Sequence, residues 1–426
     1  MSAAISPGAA QFEGASPVDK PLVPEVGVVF MAPEPWSALG SSRFHVAHWM
    51  SHIFRVVWVN PARPWRDVVW GRDHRLLSGT AGLCPPPSPV MVYEPQPWLP
   101  LFHRPRWLAN LTFDLRVRRA RRLLRDAGCT TIALHVCRPA LARAPRSARF
   151  AATLYHIDDE YSFSEREVPV GEDERRLIES VDQVIVHSPG LMAKKGHVNR
   201  RTAMIPNGVN YAAYAAPRPE PEDLAPIPHP RIGYTGLLKQ QLDWTLIETL
   251  VNRRPGWSFV FVGPVGKHEG ITERVAALGR RANVHLLGVK SVDDLPSYVQ
   301  HFDVCLLPYR VTPYTSYIYP LKLHEYLASG KPVVGSRIQS LEPMAGVIEL
   351  AETVDGWEVA IARSLETGAR SLERVTTRRA VAQLHDWRYL VARLALLLAD
   401  RLGEPVASRV REGLADPKSV TGGRVP

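Results

Sequence analysis

The sequence predicts an α/β protein with two doubly wound, Rossmann-like domains that face a cleft between them. Three observations lead to this prediction. Short apolar runs alternate with helical patterns in both halves of the chain, a segment rich in Pro separates the halves, and 426 residues are more than one ordinary core holds. A hydrophobic content of 45% and a charged content of 22% are typical of a globular protein.

The first half contains apolar runs of the kind that form buried parallel strands, with helical patterns between them. The predicted strands cover 26–31, 55–61, 152–159 and 183–189, and the predicted helices cover 41–53, 105–127 and 172–181. Pro206 and the pair Asn207-Gly208 signal a turn that ends this half.

The alternation restarts after the Pro-rich segment. Predicted strands cover 231–236, 257–264, 284–288, 303–309 and 331–336, and predicted helices cover 242–252, 269–280, 293–300, 321–329 and 385–402. We therefore expect a disordered start (1–24), an N-terminal Rossmann-like domain (25–212), a linker (213–230), a C-terminal Rossmann-like domain (231–370), C-terminal helices (371–405) and a tail (406–426). A cleft between the carboxyl ends of two such sheets is where ligands bind.

Composition narrows the class of protein. No apolar run approaches the length of about 18 residues that is needed to span a bilayer. The first 25 residues also lack the pattern of a secretion signal, so the cytoplasm is the default expectation. Four scattered cysteines predict neither a disulfide framework nor a zinc site. The net charge of +10 favours anionic partners such as nucleotides, phosphorylated lipids, anionic membranes or nucleic acid, without choosing among them.

The most informative passage is DVCLLPYRVTPYTSYIYPLKLHEYLASGKPVVGS at 303–336. It resembles the donor-binding signature of family-4 glycosyltransferases, which have the GT-B fold. In that family a strand ending in Pro leads to a loop, then to a helix with a Glu, then to Gly-x-Pro-Val-Val. Here these features fall on Pro308, Glu325 and 330–334, and the spacing agrees over about 30 residues.

The resemblance looks closest to a bacterial subgroup with Pro-Leu-Lys-x-x-Glu-Tyr-Leu-Ala, found here at 320–328, whose members are assigned to surface-polysaccharide synthesis. It implies a retaining enzyme, of hexosyltransferase type, that moves a sugar from a nucleoside-diphosphate sugar to a glycan or lipid-linked acceptor. It also implies that no cofactor and no bound metal are needed.

The chemistry of the residues agrees with a donor site around Glu325. A carboxylate accepts hydrogen bonds from both vicinal hydroxyls of a ribose, and free amides at the start of the same helix suit a diphosphate. Lys322 lies three positions earlier, so both side chains project from one face of the helix. The alternative is an exposed Lys–Glu pair with no ligand.

Two positions depart from the family pattern. The family usually has a second Glu eight positions earlier, which touches the donor sugar, and here that position holds Tyr317. Sugar contacts would then come from Tyr317, Ser316 or backbone amides. The family also often has an Arg and a Lys near Gly236 that bind the diphosphate. This chain has leucines there, so Lys239 and Lys322 are the expected substitutes.

Two further positions of the second domain follow the resemblance. Gly288 and Lys290 come directly after the strand at 284–288, where the family contacts the nucleobase through backbone groups. The alternative for Lys290 is a solvated side chain. Gly236 ends the first strand of the same domain, where a glycine is either structural or allows close approach of a ligand.

The first domain offers polar residues at the cleft end of two strands. Asp158 and His156 end the strand at 152–159, and the resemblance implies that one of them contacts the sugar. Their alternative role is to cap the next segment. Arg43 and His45 open the helix after the first strand and could meet an anionic acceptor or the donor phosphates, or simply begin a surface helix. The acidic pair at 158–159 lacks a third ligand at a recognisable spacing, so no metal site is predicted.

Other functions remain open from the sequence. One is an isomerase or epimerase on the same fold, and another is a non-catalytic binding or nucleic-acid module, although no nucleic-acid motif is present. Residues 98–102 read Trp-Leu-Pro-Leu-Phe, and the basic helical pattern that follows at 105–127 places Arg116, Arg119, Arg122 and Arg125 on one face. This pattern predicts either peripheral docking on an anionic membrane or an ordinary solvated helix face.

Overall fold

The structure is a computed structural model, and it describes residues 20–36, 41–71, 88–162, 168–266 and 270–415. These residues form two α/β domains, each built on one parallel sheet. The predicted fold class is confirmed. Both sheets are covered by helices on both faces, which explains why their strands read as near-continuous apolar runs.

The N-terminal sheet has seven strands in the order β3-β2-β1-β4-β5-β6-β7. All of its pairings are parallel. Its strands are β1 (Val23–Met31), β2 (Phe54–Val59), β3 (Met91–Tyr93), β4 (Thr131–Val136), β5 (Thr153–Ile157), β6 (Gln183–Val186) and β7 (Thr202–Met204).

The C-terminal sheet has six parallel strands in the order β10-β9-β8-β11-β12-β13. From β8 the chain adds strands first on one side, as β9 and β10, and then on the other, as β11 to β13, so the strand order reverses between β8 and β11. This switch point is where ligands of doubly wound sheets bind. Its strands are β8 (Arg231–Thr235), β9 (Ser258–Val262), β10 (Val284–Gly288), β11 (Val304–Leu307), β12 (Val333–Ser336) and β13 (Glu349–Ala351).

Helices connect the strands and cover both sheets. They are α1 (Ser42–Met50), α2 (Trp65–Val69), α3 (Arg106–Asp126), α4 (Ala144–Ser147), α5 (Glu172–Ser180), α6 (Pro189–Lys195), α7 (Tyr211–Ala215), α8 (Trp244–Arg253), α9 (Ile271–Leu278), α10 (Leu295–Gln300), α11 (Leu321–Ala328), α12 (Val354–Leu365), α13 (Leu372–Gln383), α14 (Trp387–Leu402) and α15 (Glu404–Ala415). Within the described residues, no helix combines the length and apolarity that crossing a membrane requires.

The last two helices return to the N-terminal domain. Trp387 and Leu394 of α14, and Ala407 and Val410 of α15, are buried in one cluster with β1, β2 and α1. The tail expected from 406 is wrong as far as residue 415, because α15 supplies part of a hydrophobic core. Residues 416–426 and most of the expected disordered start lie outside the described residues.

The expected linker is also part of a core. Leu224 is fully buried and Ile227 nearly so, and both pack in the hydrophobic cluster of the C-terminal domain. Pro and acidic residues suggest a solvated connection, but these two apolar side chains fix the segment to the domain that follows. Cys129, Cys137 and Cys305 are buried free thiols, and Cys84 lies outside the described residues.

Candidate active site

The carboxyl ends of the two sheets face each other across a cleft, and the loop between β11 and α11 bridges it. The Tyr314 hydroxyl donates a hydrogen bond to Asp159 Oδ1 at 2.8 Å. The Asn207 side-chain amide donates to the Tyr319 carbonyl at 2.8 Å. Both contacts join the donor loop of the C-terminal domain to the N-terminal half, so the loop forms part of both walls.

Glu325 lies on α11, which has no side-chain cap at its N-terminus. Its carboxyl is partly buried and receives a hydrogen bond from the buried Tyr214 hydroxyl. Burial raises the pKa of Glu325, while Lys322 and the Tyr214 hydroxyl act in the opposite direction. The carboxylate therefore sits in a site where further hydrogen-bond donors would stabilise its charge.

Gly236 and Lys322 meet at the floor of the cleft, as the donor-site hypothesis requires. Gly236 has a φ of +114°, and a Cβ added there would lie 2.4 Å from Lys322 Cε and 2.7 Å from Nζ. The lysine ammonium also lies 5.3 Å from the centre of the Tyr234 ring. The φ of Gly236 disfavours any residue with a Cβ, and the glycine leaves the adjoining space to the Lys322 side chain.

Lys239 is the second cation of the same wall. Burial and the neighbouring charge of Lys322 lower the pKa of Lys239 to about 8, and Asp159 across the cleft raises it. Neither lysine has a carboxylate within ion-pair distance in the described part of the chain. Two lysines that repel each other beside an uncapped helix N-terminus favour an anionic ligand between them.

Tyr317 packs away from the cleft. Its ring is 6% exposed and belongs to a hydrophobic cluster of the N-terminal domain, and Lys194 Nζ lies 5.1 Å from the ring centre. Ser316 Oγ donates to the Pro313 carbonyl at 2.6 Å. A Cβ on Gly190 would lie 2.5 Å from the Ser316 carbonyl oxygen, so this segment is pressed against α6. Sugar contacts by Tyr317 and Ser316 stay predictions, and the burial of the Tyr317 ring does not favour a role for it.

The two candidates beside the nucleobase differ in their surroundings. Gly288 ends β10 with a φ of +68°, and its carbonyl accepts a hydrogen bond from Gly263 at 2.7 Å. Lys290 pairs with Asp223 at 2.6 Å and lies 5.4 Å from the centre of the Tyr298 ring. Burial lowers the pKa of Lys290, but opposing effects outweigh burial, the hydrogen bond to Asp223 first among them. The pKa of Lys290 is therefore raised overall. Nucleobase contact stays a prediction for both residues.

Asp158 and Arg43 form one buried ion pair. Arg43 Nε lies 2.6 Å from Asp158 Oδ2, and a second guanidinium nitrogen lies 2.7 Å from a Glu34 carboxylate oxygen. The Tyr161 hydroxyl also donates to Asp158. Burial raises the pKa of Asp158, but Arg43 outweighs this and holds the pKa below its ordinary value. The sequence places both residues at the cleft end, and the structure shows that they neutralise each other.

The two candidate histidines are neutral at pH 7. Burial lowers the pKa of His156 and of His45 to about 4 each. His156 Nδ1 is buried and has no hydrogen-bond partner among the described residues, and its ring lies 5.5 Å from that of His135. His45 stacks on Trp387 of α14 at 5.5 Å. His45 therefore packs between elements of the fold, and this placement does not favour its binding an anion.

Asp159 is a cleft residue that the sequence does not single out. It belongs to the acidic pair at 158–159, which lacks a third ligand for a metal. Its Oδ1 accepts hydrogen bonds from Tyr314 and from the Glu160 backbone amide, both at 2.8 Å. Its Oδ2 makes no hydrogen bond within the described residues. The contact with the donor loop spans 155 positions of the sequence, so no local signal could have singled it out. Among the described residues, no group of three His, Cys, Asp or Glu side chains could hold a metal ion.

Comparisons with known proteins agree with this geometry. Residues 229–368 match the family model described as "Glycosyl transferases group 1". The matched range contains Gly236, Lys239, Lys322 and Glu325. The chain is also 30% identical over 228 residues to the "Putative teichuronic acid biosynthesis glycosyltransferase TuaH" of Bacillus subtilis (strain 168). That match covers 51% of this chain and 56% of the relative, so the chain spans little more than half of its length.

Solved structures resemble the whole of the fold. The structure of Anabaena Alr3699/HepE in complex with UDP and glucose has a TM-score of 0.58 at 16% identity and covers 87% of this chain and 98% of its own. The E. coli structure described as trehalose-6-phosphate with bound UDP-2-fluoro glucose has a TM-score of 0.60 at 13% identity and covers 89% and 99%. The fold is GT-B, and the comparisons together support a glycosyltransferase.

Proposed function

We propose that this chain is a retaining glycosyltransferase that uses a nucleoside-diphosphate sugar and acts on a glycan or lipid-linked acceptor. The observation that carries the proposal is the group of Glu325, Lys322, Lys239 and Gly236 on one wall of the cleft. It supplies a carboxylate for a ribose, two cations and a helix N-terminus for a diphosphate, and a glycine beside which the Lys322 side chain packs. The family match over 229–368 covers the same residues.

In this proposal the protein positions the reactants and stabilises the departing charge. The acceptor oxygen forms a bond to the anomeric carbon on the face that the diphosphate leaves, the bond from that carbon to the phosphate oxygen breaks, and the acceptor proton passes to the departing phosphate. Lys239, Lys322 and the amides at the start of α11 stabilise the charge that grows on that phosphate. The N-terminal wall, with Asp158 and Asp159, holds the sugar and the acceptor.

The finer parts of the proposal concern the biological setting. The TuaH relative is named for teichuronic acid biosynthesis, which supports a role in bacterial surface polysaccharide synthesis. We therefore place the enzyme in the cytoplasm at the inner face of the membrane, where a lipid-linked acceptor is found. We expect no metal to be required, since the lysines and helix amides supply the positive charge that a metal would give.

The test is a thermal-shift screen of uridine, guanosine and adenosine diphosphate sugars in EDTA, because a ligand that binds the folded state raises its melting temperature. A donor found in this way is then incubated with lipid-linked glycan acceptors, and the mass of the acceptor is measured. A gain of one sugar supports transfer. An isomerised donor with an unchanged acceptor would support the epimerase alternative, and binding that returns only with magnesium or manganese would contradict the absence of a metal.

A further inference from the structure

One corner of the N-terminal domain exposes several tryptophans and arginines. We name it the Trp–Arg surface, and its members are Trp65, Arg66, Trp98, Arg104, Arg106 and Trp107. They lie on α2, which follows β2, on the segment that follows β3, and on the start of α3. Because β2 and β3 are neighbours and parallel, all three segments lie at the carboxyl edge of the sheet, the edge that faces the cleft.

Large apolar side chains are exposed on each of the three segments of this surface. Trp65, Trp98 and Trp107 are 41%, 59% and 67% exposed, and Val69 and Leu111 beside them are exposed as well. Single exposed apolar residues need no explanation, but a cluster of large ones marks a site of interaction. Indole rings favour the boundary between water and lipid, because their ring is apolar and their N–H is polar.

Hydrogen bonds and ring contacts fix the segments that carry the tryptophans. The Trp65 amide donates to the Leu101 carbonyl at 3.2 Å, and the Trp65 ring stacks with Phe102 at 6.5 Å. The buried guanidinium of Arg116 donates to the carbonyls of Leu99 and Pro100 at 3.0 and 2.8 Å. These bonds tie the segment after β3 to both α2 and α3, so the fold holds the indoles outward.

The arginines of the surface have no counter-charge within the part of the chain that the structure describes. Arg66, Arg104 and Arg106 are exposed and make no ion pair with any described residue. The nearby Asp67 is buried, and Glu94 accepts a hydrogen bond from the Asn60 amide at 2.5 Å. Guanidinium groups bind phosphate oxygens through two parallel hydrogen bonds. The surface is therefore complementary to a plane of phosphate headgroups.

We propose that the Trp–Arg surface docks this chain onto an anionic lipid bilayer, with the indoles in the interface and the arginines on lipid phosphates. The surface joins three segments at one corner, which fits a bilayer plane. Docking there places the mouth of the cleft at the bilayer, where a lipid-linked acceptor enters. Only this last point rests on the proposed function, since docking itself needs no donor.

This surface differs from the arginine face of α3 that the sequence suggests. Arg116 is buried and serves the fold, Arg119 lies 4.6 Å from the centre of the Trp98 ring, and Arg122 pairs with Asp126 at 3.7 Å. Arg106 and Arg122 are 16 positions apart, about 24 Å along the helix. Because Arg119 joins this arginine face to Trp98, the control of equal charge is Arg280 with Arg281, two exposed residues after α9 in the C-terminal domain.

The experiment is flotation of the full chain with vesicles of phosphatidylcholine alone or mixed with phosphatidylglycerol. We expect binding only to the anionic vesicles, and weaker binding at higher salt. Reversing both Arg104 and Arg106 to Glu should lower the partition coefficient at least tenfold, since each basic residue at such a surface contributes about fivefold. Reversing both Arg280 and Arg281 to Glu should change it less than twofold.

Two further variants separate docking from simple charge attraction. Trp98→Ala with Trp107→Ala should lower binding at least tenfold while leaving the net charge unchanged, and the melting temperature should stay close to wild type because both side chains are exposed. Absence of binding by the wild type would overturn the proposal. So would equal losses in the two arginine pairs, or undiminished binding by the tryptophan pair. Flotation without activity would contradict the proposed function alone.

Discussion

The two walls of the cleft handle charge in opposite ways. On the N-terminal wall the buried cations are already paired: Arg43 contacts both Glu34 and Asp158, and the fully buried Lys195 contacts Glu160 and Glu174 at 3.2 and 2.8 Å. Paired groups keep their geometry whether or not a ligand is present. The N-terminal wall therefore keeps its geometry without a ligand. Because its buried cations are already neutralised, this wall suits an uncharged ligand such as a sugar.

The C-terminal wall leaves its charges unbalanced. Lys239 and Lys322 have no carboxylate at ion-pair distance among the described residues, and their repulsion helps to lower the pKa of Lys239 to about 8. Burial raises the pKa of Glu325 on the same wall. A ligand that brings two negative charges and two hydroxyl donors would relieve both costs. The difference between the walls indicates which end of a nucleotide sugar each wall receives.

Charge reversal at Lys322 should have the largest effect. Lys322→Glu places a second carboxylate near Glu325 and repels the diphosphate, so the affinity for the nucleoside diphosphate should fall at least about a hundredfold. Isothermal titration of the folded variant measures this loss. Arg280→Glu makes the same charge change on an exposed residue after α9, at the opposite edge of the sheet, and should bind normally. Normal binding by the Lys322 variant would contradict the donor site.

Removal of Glu325 should weaken binding by about ten- to a hundredfold. Glu325→Ala loses charge-assisted hydrogen bonds to the ribose, and these contribute roughly 1.5–3 kcal/mol. The loss should appear with the nucleoside diphosphate as well as with the full donor. The variant should fold, because the carboxylate is held at a cost in this site. Wild-type activity in the purified variant would show that the ribose lies elsewhere.

Asp159 sharpens the comparison from the other wall. Asp159→Asn should lower kcat/KM about tenfold if its Oδ2 contacts the transferred sugar, while the affinity for the nucleoside diphosphate alone stays unchanged. Tyr314→Phe removes the hydrogen bond to Oδ1 and keeps the carboxylate, so it should cost less than the Asp159 change. Equal losses in the two variants would mean that Asp159 serves only to anchor the donor loop.

The pH dependence of binding should be the smallest effect. Lys239 is charged below its pKa of about 8 and neutral above it, so affinity for the diphosphate should fall about three- to tenfold between pH 7 and pH 9.5. The same lowered pKa means that the charged lysine destabilises the fold below pH 8, and that this cost is removed progressively as pH rises from about 8 to the ordinary lysine pKa of 10.5. Lys239→Arg should remove the step in affinity, and a step of unchanged size would assign it to another group.

The sequence predicts the fold class and the grouping on the C-terminal wall because both depend on local patterns. Alternating apolar runs indicate the sheets, and Lys322 and Glu325 lie three positions apart on one helix. The strands predicted from the sequence do not include β4, which lies beside β1 at the centre of the sheet, although its run TIALHV is apolar. The expected tail includes most of α15, because only the contact of α15 with the N-terminal sheet shows which residues of the helix are buried.

The N-terminal wall depends on distant pairs. Arg43 and Asp158 are 115 positions apart, so the sequence places each at the cleft edge without showing that they bind each other. Tyr317 is a similar case. Its position in the family pattern suggests a sugar contact, but the N-terminal cluster that buries its ring comes from a different domain. Residues whose partners are remote in sequence are the ones that local patterns assign least well.

The return of α14 and α15 to the N-terminal domain has a consequence for the order of synthesis. β1 and β2 leave the ribosome early, but the cluster that covers one face of them needs Trp387, Leu394 and Val410. The C-terminal sheet and its helices, from 231 to 365, are contiguous in the chain and can complete their own core first. The domain that is made first is therefore finished last, and until then it exposes an apolar sheet face that chaperones recognise.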